Sequence, residues 1–158
     1  MKTLRRRRKE AKTDYKARFN LLKSGKVRFV VRKTNTALIA QIVASETAQD
    51  KVILTVNSRD LLIKGWPVEK KGSLKSLPAA YLTGFLIGKK AKPLVKEIIL
   101  DTGMNRNIHG SRIYSLVKGA IDAGLNISVN EKVLPKIEKI MSNKNISKST
   151  IEKIKEKL

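Results

Sequence analysis

The acidic side chains near one predicted strand are the residues of this sequence best placed for catalysis. Asp101 ends a short apolar segment, and carboxylates at strand ends can hold Mg²⁺ for metal-assisted hydrolysis. Such a site needs several converging acids, whereas Glu97 lies on the same strand and Asp122 lies late in a predicted helix. We therefore favour a capping role for Asp101 over a metal-dependent nuclease, and we predict no metal site.

Two other features suggest chemistry but favour a structural interpretation. His109 is the only histidine, and because it has no evident nucleophile partner we interpret it as a capping or ligand-facing residue. Gly84 and Gly88 belong to a string similar to a phosphate-binding loop, but that loop needs four residues between its glycines. The string also has the pattern of a helix interior, so the glycines indicate a close helix contact. No catalytic residue, cofactor or small-molecule substrate is predicted.

The composition predicts one soluble domain with a substantial core. Hydrophobic residues make up 41% of the 158 residues, and there are no cysteines to form disulfides or thiolate metal sites. No apolar run reaches the length of about 18 residues that a membrane span needs. Because the charged N-terminus is not followed by an apolar region, we expect no secretory signal, no membrane partner and a cytoplasmic location.

Positive charge is concentrated at the N-terminus. The first 33 residues hold 14 Lys and Arg against two acids, a net of +12 out of +22 for the whole chain. Residues 5–9 form an unbroken basic run, Arg5, Arg6, Arg7, Arg8 and Lys9. An arm of this charge suits a polyanion, because each cation that neutralises a phosphate releases a condensed counterion. A solvated charge run or a localisation signal is the alternative.

The apolar periodicity predicts an α/β domain between the basic arm and a lysine-rich helical tail. Strands are predicted at 27–32, 37–44, 52–56 and 97–101, and helices at 10–24, 76–92, 111–123 and, from a capping box, at 149–158. Ser76 and Ser111 are the predicted N-caps of the two central helices. This order predicts a mixed sheet that begins as an antiparallel meander. We divide the chain into an arm with a short helix (1–24), a domain (25–130) and a tail (131–158) that packs lightly on the domain or on a partner.

The positive charge continues into the structured elements. Arg28 and Arg32 lie on one face of the first predicted strand, separated on that face only by Val30. Burying this face against a helix would leave two cations unpaired, so we predict that it faces water or phosphate. Tyr15 offers a stacking surface for an unpaired base, although a core position is an equal alternative.

Several local strings resemble one known family, the archaeal form of large-subunit ribosomal protein eighteen, which also includes the eukaryotic large-subunit protein five. The similar strings run in order from residue 5 to about residue 130. They are RRRRKEAKTDY from Arg5, LLKSGK from Leu21, RFVVRKTN from Arg28, PAAYLTG from Pro78, GSRIY from Gly110 and, most specifically, KGAIDAGL from Lys118.

The resemblance implies a binding protein rather than an enzyme, with a three-layer α/β/α sandwich and a mixed sheet. Members bind 5S ribosomal RNA (rRNA) and help attach it to the central protuberance of the large ribosomal subunit. The implied partners are therefore 5S rRNA, large-subunit rRNA and neighbouring ribosomal proteins. The implied RNA-binding residues are Arg5, Arg6, Arg7, Arg8, Lys9, Lys12, Tyr15, Arg18, Arg28, Arg32, Lys33 and Asn35, with Arg112 added because helix N-termini favour anions. A general basic DNA- or RNA-binding protein of the chromatin type is the alternative.

Overall fold

A computed structural model describes residues 3–46, 49–95, 97–142 and 146–158. Parts of the predicted arm (residues 1 and 2) and tail (residues 143–145) lie outside the described residues. The strands are β1 (Val27–Lys33), β2 (Leu38–Glu46), β3 (Gln49–Asn57) and β4 (Ile98–Asp101). The helices are α1 (Arg6–Lys9), α2 (Tyr15–Lys23), α3 (Leu77–Ala91), α4 (Arg112–Asp122), α5 (Ile137–Met141) and α6 (Lys148–Lys157), with 3-10 turns at Ser58–Leu62, Val68–Ser73 and Glu131–Val133.

The four strands form one mixed sheet in the order β3-β2-β1-β4. β1 pairs antiparallel with β2, and β2 pairs antiparallel with β3, so the predicted meander is confirmed. β4 pairs parallel with β1, because α3 carries the chain across the sheet before β4 begins. The register places Arg28 beside Ile99 and Val30 beside Asp101.

One face of the sheet, called here the inner face, packs against α3 and α4. Phe29 and Val31 of β1 are buried there with Leu116 and Val117 of α4. The two helices touch along their glycines, since a Cβ at Gly84 would overlap the carbonyl oxygen of Leu116. The predicted close helix contact is confirmed, and the helix-interior position of Gly84 leaves no phosphate-binding loop there.

The opposite face, called here the outer face, carries Arg28, Val30 and Arg32, and α2 lies over part of it. Asp14 caps α2 by accepting hydrogen bonds from the backbone N–H groups of Lys16 and Ala17, at 3.0 and 3.1 Å. The helix therefore begins at Tyr15, five residues after the predicted start. With helices on both sides of a mixed sheet, the predicted three-layer α/β/α sandwich is confirmed.

The lysine-rich tail belongs to a second hydrophobic core. Ile140, Ile146, Ile151 and Ile154 are each at most 4% exposed. They pack with residues of α3 and of the segment before it, namely Leu61, Trp66, Leu74, Ala79, Tyr81 and Leu82. The prediction of a lightly packed tail is wrong, because these four isoleucines fall on one buried side, although Ile137 is 50% exposed.

The helix caps were predicted with mixed success. Ser76 and Ser111 occupy the predicted N-cap positions of α3 and α4, but neither side chain makes a capping hydrogen bond. Both hydroxyls are buried without a partner among the described residues. The capping box predicted at residues 149–152 is wrong, since α6 begins at Lys148 with Ser147 as its N-cap.

Candidate nucleic-acid interface

Arg28 is buried on the outer face of the sheet and is paired with two carboxylates. Its side chain is 3% exposed, and its guanidinium donates to Asp101 Oδ2 at 2.8 Å and to Asp50 Oδ1 at 2.6 Å. It also donates to Ser45 Oγ at 2.9 Å. The prediction that Arg28 faces water or phosphate is therefore wrong, because acids from β4 and β3 supply the partners that burial requires.

Asp50 links this buried cluster to α2. Its second oxygen, Oδ2, accepts a hydrogen bond from Arg18 at 2.9 Å. Partial burial alone would raise the pKa of Asp50, but the hydrogen bonds from Ser45 and Arg28 and the charges of Arg28 and Arg18 outweigh it and lower the pKa. Asp50 therefore stays ionised near neutral pH and holds Arg18 against the sheet.

The basic arm forms one short helical turn, α1. Arg6 donates to Glu10 at 2.9 Å, and Lys12 donates to the other oxygen of Glu10 at 2.7 Å. These hydrogen bonds from Lys12 and Arg6 lower the pKa of Glu10. Because Arg6 is 89% exposed and Lys12 is 63% exposed, the ion pairs are solvated and leave both cations accessible to another anion.

A groove of about 1000 Å³ separates the arm from α2 and combines cations with aromatic rings. We call it the arm groove. The guanidinium of Arg5 lies 4.9 Å from the ring centroid of Tyr15, in a cation–π contact. The structure brings together five predicted cations and Tyr15 on its walls: Arg5, Arg7, Arg8, Arg18 and Arg32. Such walls can hold a phosphate backbone and stack an unpaired base.

Phe19 is a residue of the arm groove that the sequence reasoning missed. It lies one helical turn after Tyr15, is 58% exposed, and has the ammonium of Lys23 4.8 Å from its ring centroid. The i, i+4 spacing from Tyr15 was the available signal, since residues four apart share a helix face. Phe19 and Tyr15 thus give the groove two aromatic side chains.

The end of β1 and the following turn carry the remaining predicted contacts. Arg32 and Lys33 are exposed, as is Asn35 in the turn between β1 and β2. Lys75 donates to the backbone oxygen of Asn35 at 2.7 Å, and Arg59 donates to Thr36 Oγ1 at 3.2 Å. Two further cations therefore fix the turn that presents Asn35.

The candidate catalytic acids are all occupied by structural partners. Asp101 accepts from the backbone N–H of Gly103 at 2.9 Å in addition to pairing with Arg28, so its predicted capping role is confirmed. Glu97 pairs with Lys26, which lowers the pKa of Glu97, and Asp122 pairs with Lys118 and accepts from Tyr81 Oη. Within the described residues, no three His, Cys, Asp or Glu side chains converge to hold a metal ion.

Arg112 lies apart from the arm groove. It is exposed at the first position of α4 but does not line the groove. His109 is exposed in the loop before α4. Across residues 3–46, 49–95, 97–142 and 146–158, none of the helices has the length and apolar character needed to span a membrane.

The comparisons with known proteins agree on one family. The family described as ribosomal large subunit proteins 60S L5 and 50S L18 matches residues 1–97, which carry the arm, α2, β1 to β3 and α3. The large ribosomal subunit protein uL18 of Methanothermobacter thermautotrophicus is 44% identical over 131 residues, 82% of this chain and 66% of that protein. The protein of the same name from Methanococcus maripaludis is 43% identical over 136 residues, 85% of this chain and 68% of that protein. The matches thus span about two thirds of the relatives' length.

Proposed function

The chain belongs to the family of ribosomal large subunit proteins 60S L5 and 50S L18, and on that premise we propose that it is a non-enzymatic constituent of the large ribosomal subunit that binds 5S rRNA. The family model and both relatives are named as ribosomal proteins, which supports the structural role. The proposed location is the ribosome in the cytoplasm. The finer parts of the proposal, 5S rRNA and the central protuberance, rest on the sequence resemblance together with the basic surface.

The continuous basic surface is the observation that carries the proposal. We define the basic surface as the arm groove together with the rest of the arm up to Lys12 and the exposed end of β1. Its cations are Arg5, Arg6, Arg7, Arg8, Lys9, Lys12, Arg18, Arg32 and Lys33. Asn35 and Tyr15 supply polar and aromatic contacts within it. Arg28 is removed from the set because its charge is already neutralised by Asp50 and Asp101.

The proposed binding has two parts, an electrostatic attraction to phosphates and a recognition of RNA by its unpaired bases and 2′-hydroxyl groups. The arm cations neutralise phosphates and release counterions, which provides affinity that is independent of sequence. Tyr15 then stacks an unpaired base, and Asn35 hydrogen-bonds to base edges or to 2′-hydroxyl groups. Because DNA lacks the 2′-hydroxyl, the second step favours RNA.

A general basic DNA-binding role is the competing function, and competition separates the two. Labelled 5S rRNA is bound by the full chain and challenged with unlabelled 5S rRNA or with duplex DNA of equal phosphate content. We expect 5S rRNA to compete at least tenfold better than the DNA at moderate salt. Equal competition by the two nucleic acids would contradict the proposal and favour the DNA-binding role.

The attachment to the central protuberance calls for a separate experiment. Chemical footprinting of 5S rRNA with and without the protein should yield a compact set of protected nucleotides. Footprinting of the assembled large subunit should then show that the protein's other surfaces, including Arg112, lie against large-subunit rRNA or neighbouring proteins. Protection scattered evenly along 5S rRNA would speak against a specific site.

A further inference from the structure

A second cavity lies between α2, the outer face of the sheet and the loop that follows β4. We call it the outer-face cleft. Its volume is about 600 Å³, within the range of about 300–1,000 Å³ that small ligands occupy in proteins. It adjoins the arm groove, with which it shares Arg7, Arg18 and Arg32, but its floor comes from the three strands of the meander.

The floor of the cleft is apolar. Val30, Val43 and Val52 come from three neighbouring strands, and Val43 and Val52 are register partners. Val30 and Val43 are 6% and 4% exposed, and Leu21 of α2 faces the same space. Val52 is 50% exposed and Leu21 is half-buried, so a flat ring inserted between the sheet and α2 removes apolar area from water mainly at these two side chains.

The edges of the cleft carry carboxamides. Gln41 is the register partner of Val30, and Asn20 of α2 and Asn105 of the loop after β4 also line the space. A carboxamide presents both a donor and an acceptor. That combination complements the Watson–Crick and Hoogsteen edges of a nucleobase.

The rim of the cleft is cationic. Arg32 and Lys33 line it, and within the described part of the chain neither forms a salt bridge. The acids near the cleft are occupied, since Asp50 and Asp101 pair with Arg28 and Asp14 caps α2. The cleft therefore offers an aliphatic floor to a ring, beside the neutralised cluster of Arg28, Asp50 and Asp101, and unpaired positive charge to an anion at its rim.

We propose that the outer-face cleft receives a single unpaired nucleotide of the bound RNA, with its base on the valine floor and its phosphate at Arg32 and Lys33. The inference rests on the proposed function, since it names one subsite of the RNA-binding surface. A free mononucleotide has the same chemistry, so the test includes it as a separate probe.

Two neighbouring residues of β3 provide the test and its matched control. Val52 lines the cleft and Ile53 does not, although the two side chains are 50% and 41% exposed. Val52→Trp fills the slot, whereas Ile53→Trp adds the same ring outside it. We expect Val52→Trp to weaken binding of 5S rRNA roughly tenfold, the scale of one stacked base, and Ile53→Trp to change it by less than about twofold.

The probes are 5S rRNA, a fully paired RNA duplex and free nucleoside monophosphates, with a thermal melt to verify that each variant folds. Val52→Trp should leave duplex binding and the salt dependence unchanged, because it removes no phosphate contact. Base-specific chemical probing with the unmodified protein should show protection of one unpaired base in addition to the base that Tyr15 stacks, which keeps the proposal testable if the variant does not fold.

Equal losses for the two variants, an equal loss on the duplex, or unchanged binding of 5S rRNA would each overturn the inference. The inference would also be overturned if Val52→Trp abolished binding of a free nucleoside monophosphate while binding of 5S rRNA stayed unchanged, because the cleft would then be a small-molecule site. If the unmodified protein does not bind 5S rRNA, the proposed function itself is wrong. If the unmodified protein binds 5S rRNA but Val52→Trp and Ile53→Trp change its affinity equally, the proposed function stands and only the nucleotide site in the cleft is excluded.

Discussion

The two faces of the sheet differ in how their side chains are held. The inner face is sealed by α3 and α4, whose glycines let the two helices touch along their backbones. The outer face is partly covered by α2, which has no fully buried residue and leaves a cleft and a groove beneath and beside it. The inner face therefore stabilises the fold, while the outer face leaves room and charge for a ligand.

The contrast is sharpest within one strand. Arg28 and Arg32 lie on the same side of β1, four residues apart, yet Arg28 is buried between two acids and Arg32 is exposed. The same residue type thus holds β3 and β4 together at one end of the strand and faces solvent at the other. Positive charge in this protein therefore has two roles, stabilising the fold at Arg28 and offering a contact to a ligand at Arg32, and substitutions should separate them.

Removing the tail should have the largest effect. Truncation after Asn130 deletes four buried isoleucines, and each fully buried side chain of this kind stabilises a fold by roughly 1.5–3 kcal/mol. Their sum approaches the whole stability of a typical domain, about 5–15 kcal/mol, so the truncated chain should not fold cooperatively. Circular dichroism with thermal melting measures this. A sharp transition at a temperature close to that of the full chain would contradict the claim that the tail forms a second core and would support a lightly packed tail instead.

The helix contact on the inner face should be the next most sensitive point. Gly84→Ala places a Cβ against the backbone carbonyl of Leu116, and we expect a loss of about 3–5 kcal/mol in the free energy of unfolding. Gly72→Ala is the matched control, because no atom lies within 4 Å of its added Cβ. Urea denaturation of the two variants gives the comparison. Equal stabilities would mean that α3 and α4 do not pack this closely.

Arg28→Met should destabilise the fold by about 3 kcal/mol, since it leaves Asp50 and Asp101 without their buried partner. The pKa of Asp50 is lowered in the folded state. The stability that its ionised form contributes is therefore fully present above its ordinary pKa of 3.8 and is lost as the pH falls below that value through the lowered pKa of the folded state. The difference in the free energy of unfolding between Arg28→Met and the wild type, measured by urea denaturation, should therefore become smaller at acid pH. A variant of unchanged stability that bound RNA poorly would instead make Arg28 a direct RNA contact.

Arg32→Gln should have the smallest effect on the fold and a selective effect on binding. We expect the free energy of unfolding to stay within about 0.5 kcal/mol of wild type, because the side chain is exposed. The slope of log affinity for 5S rRNA against log salt should fall by about 1, as for one lost phosphate contact. Fluorescence titration at several salt concentrations measures the slope, and Lys51→Gln, at an exposed position outside both cavities, is the control.

Much of the fold could be predicted from the sequence because its signals are local. The alternation in β1, the glycines after α2 and α4, and the Gly84–Gly88 spacing each act within a few residues. The tail was harder, since its isoleucines become a core only when they meet Trp66 and Tyr81 from elsewhere in the chain. Local periodicity indicated helices there but could not indicate how deeply they are buried.

The candidate site was predicted less completely, for the same reason. The basic arm is visible in the sequence, and its five cations are confirmed as exposed. The partners of Arg28 lie 22 and 73 residues away, so no sequence spacing could pair them. The burial of Arg28 depends on the sheet register and on the parallel position of β4, which only the folded chain specifies.

Deletion of residues 1–9 tests the central claim most directly, because it removes the arm cations and residues 3–9, the part of this segment that the structure describes, are all exposed. The salt dependence of 5S rRNA binding should be measured for the full and the shortened chain, beside their thermal melts. We predict an unchanged melting temperature and a slope of log affinity against log salt that falls by about 3–5. An unchanged slope would contradict the claim that the exposed arm binds RNA while the packed domain supports it.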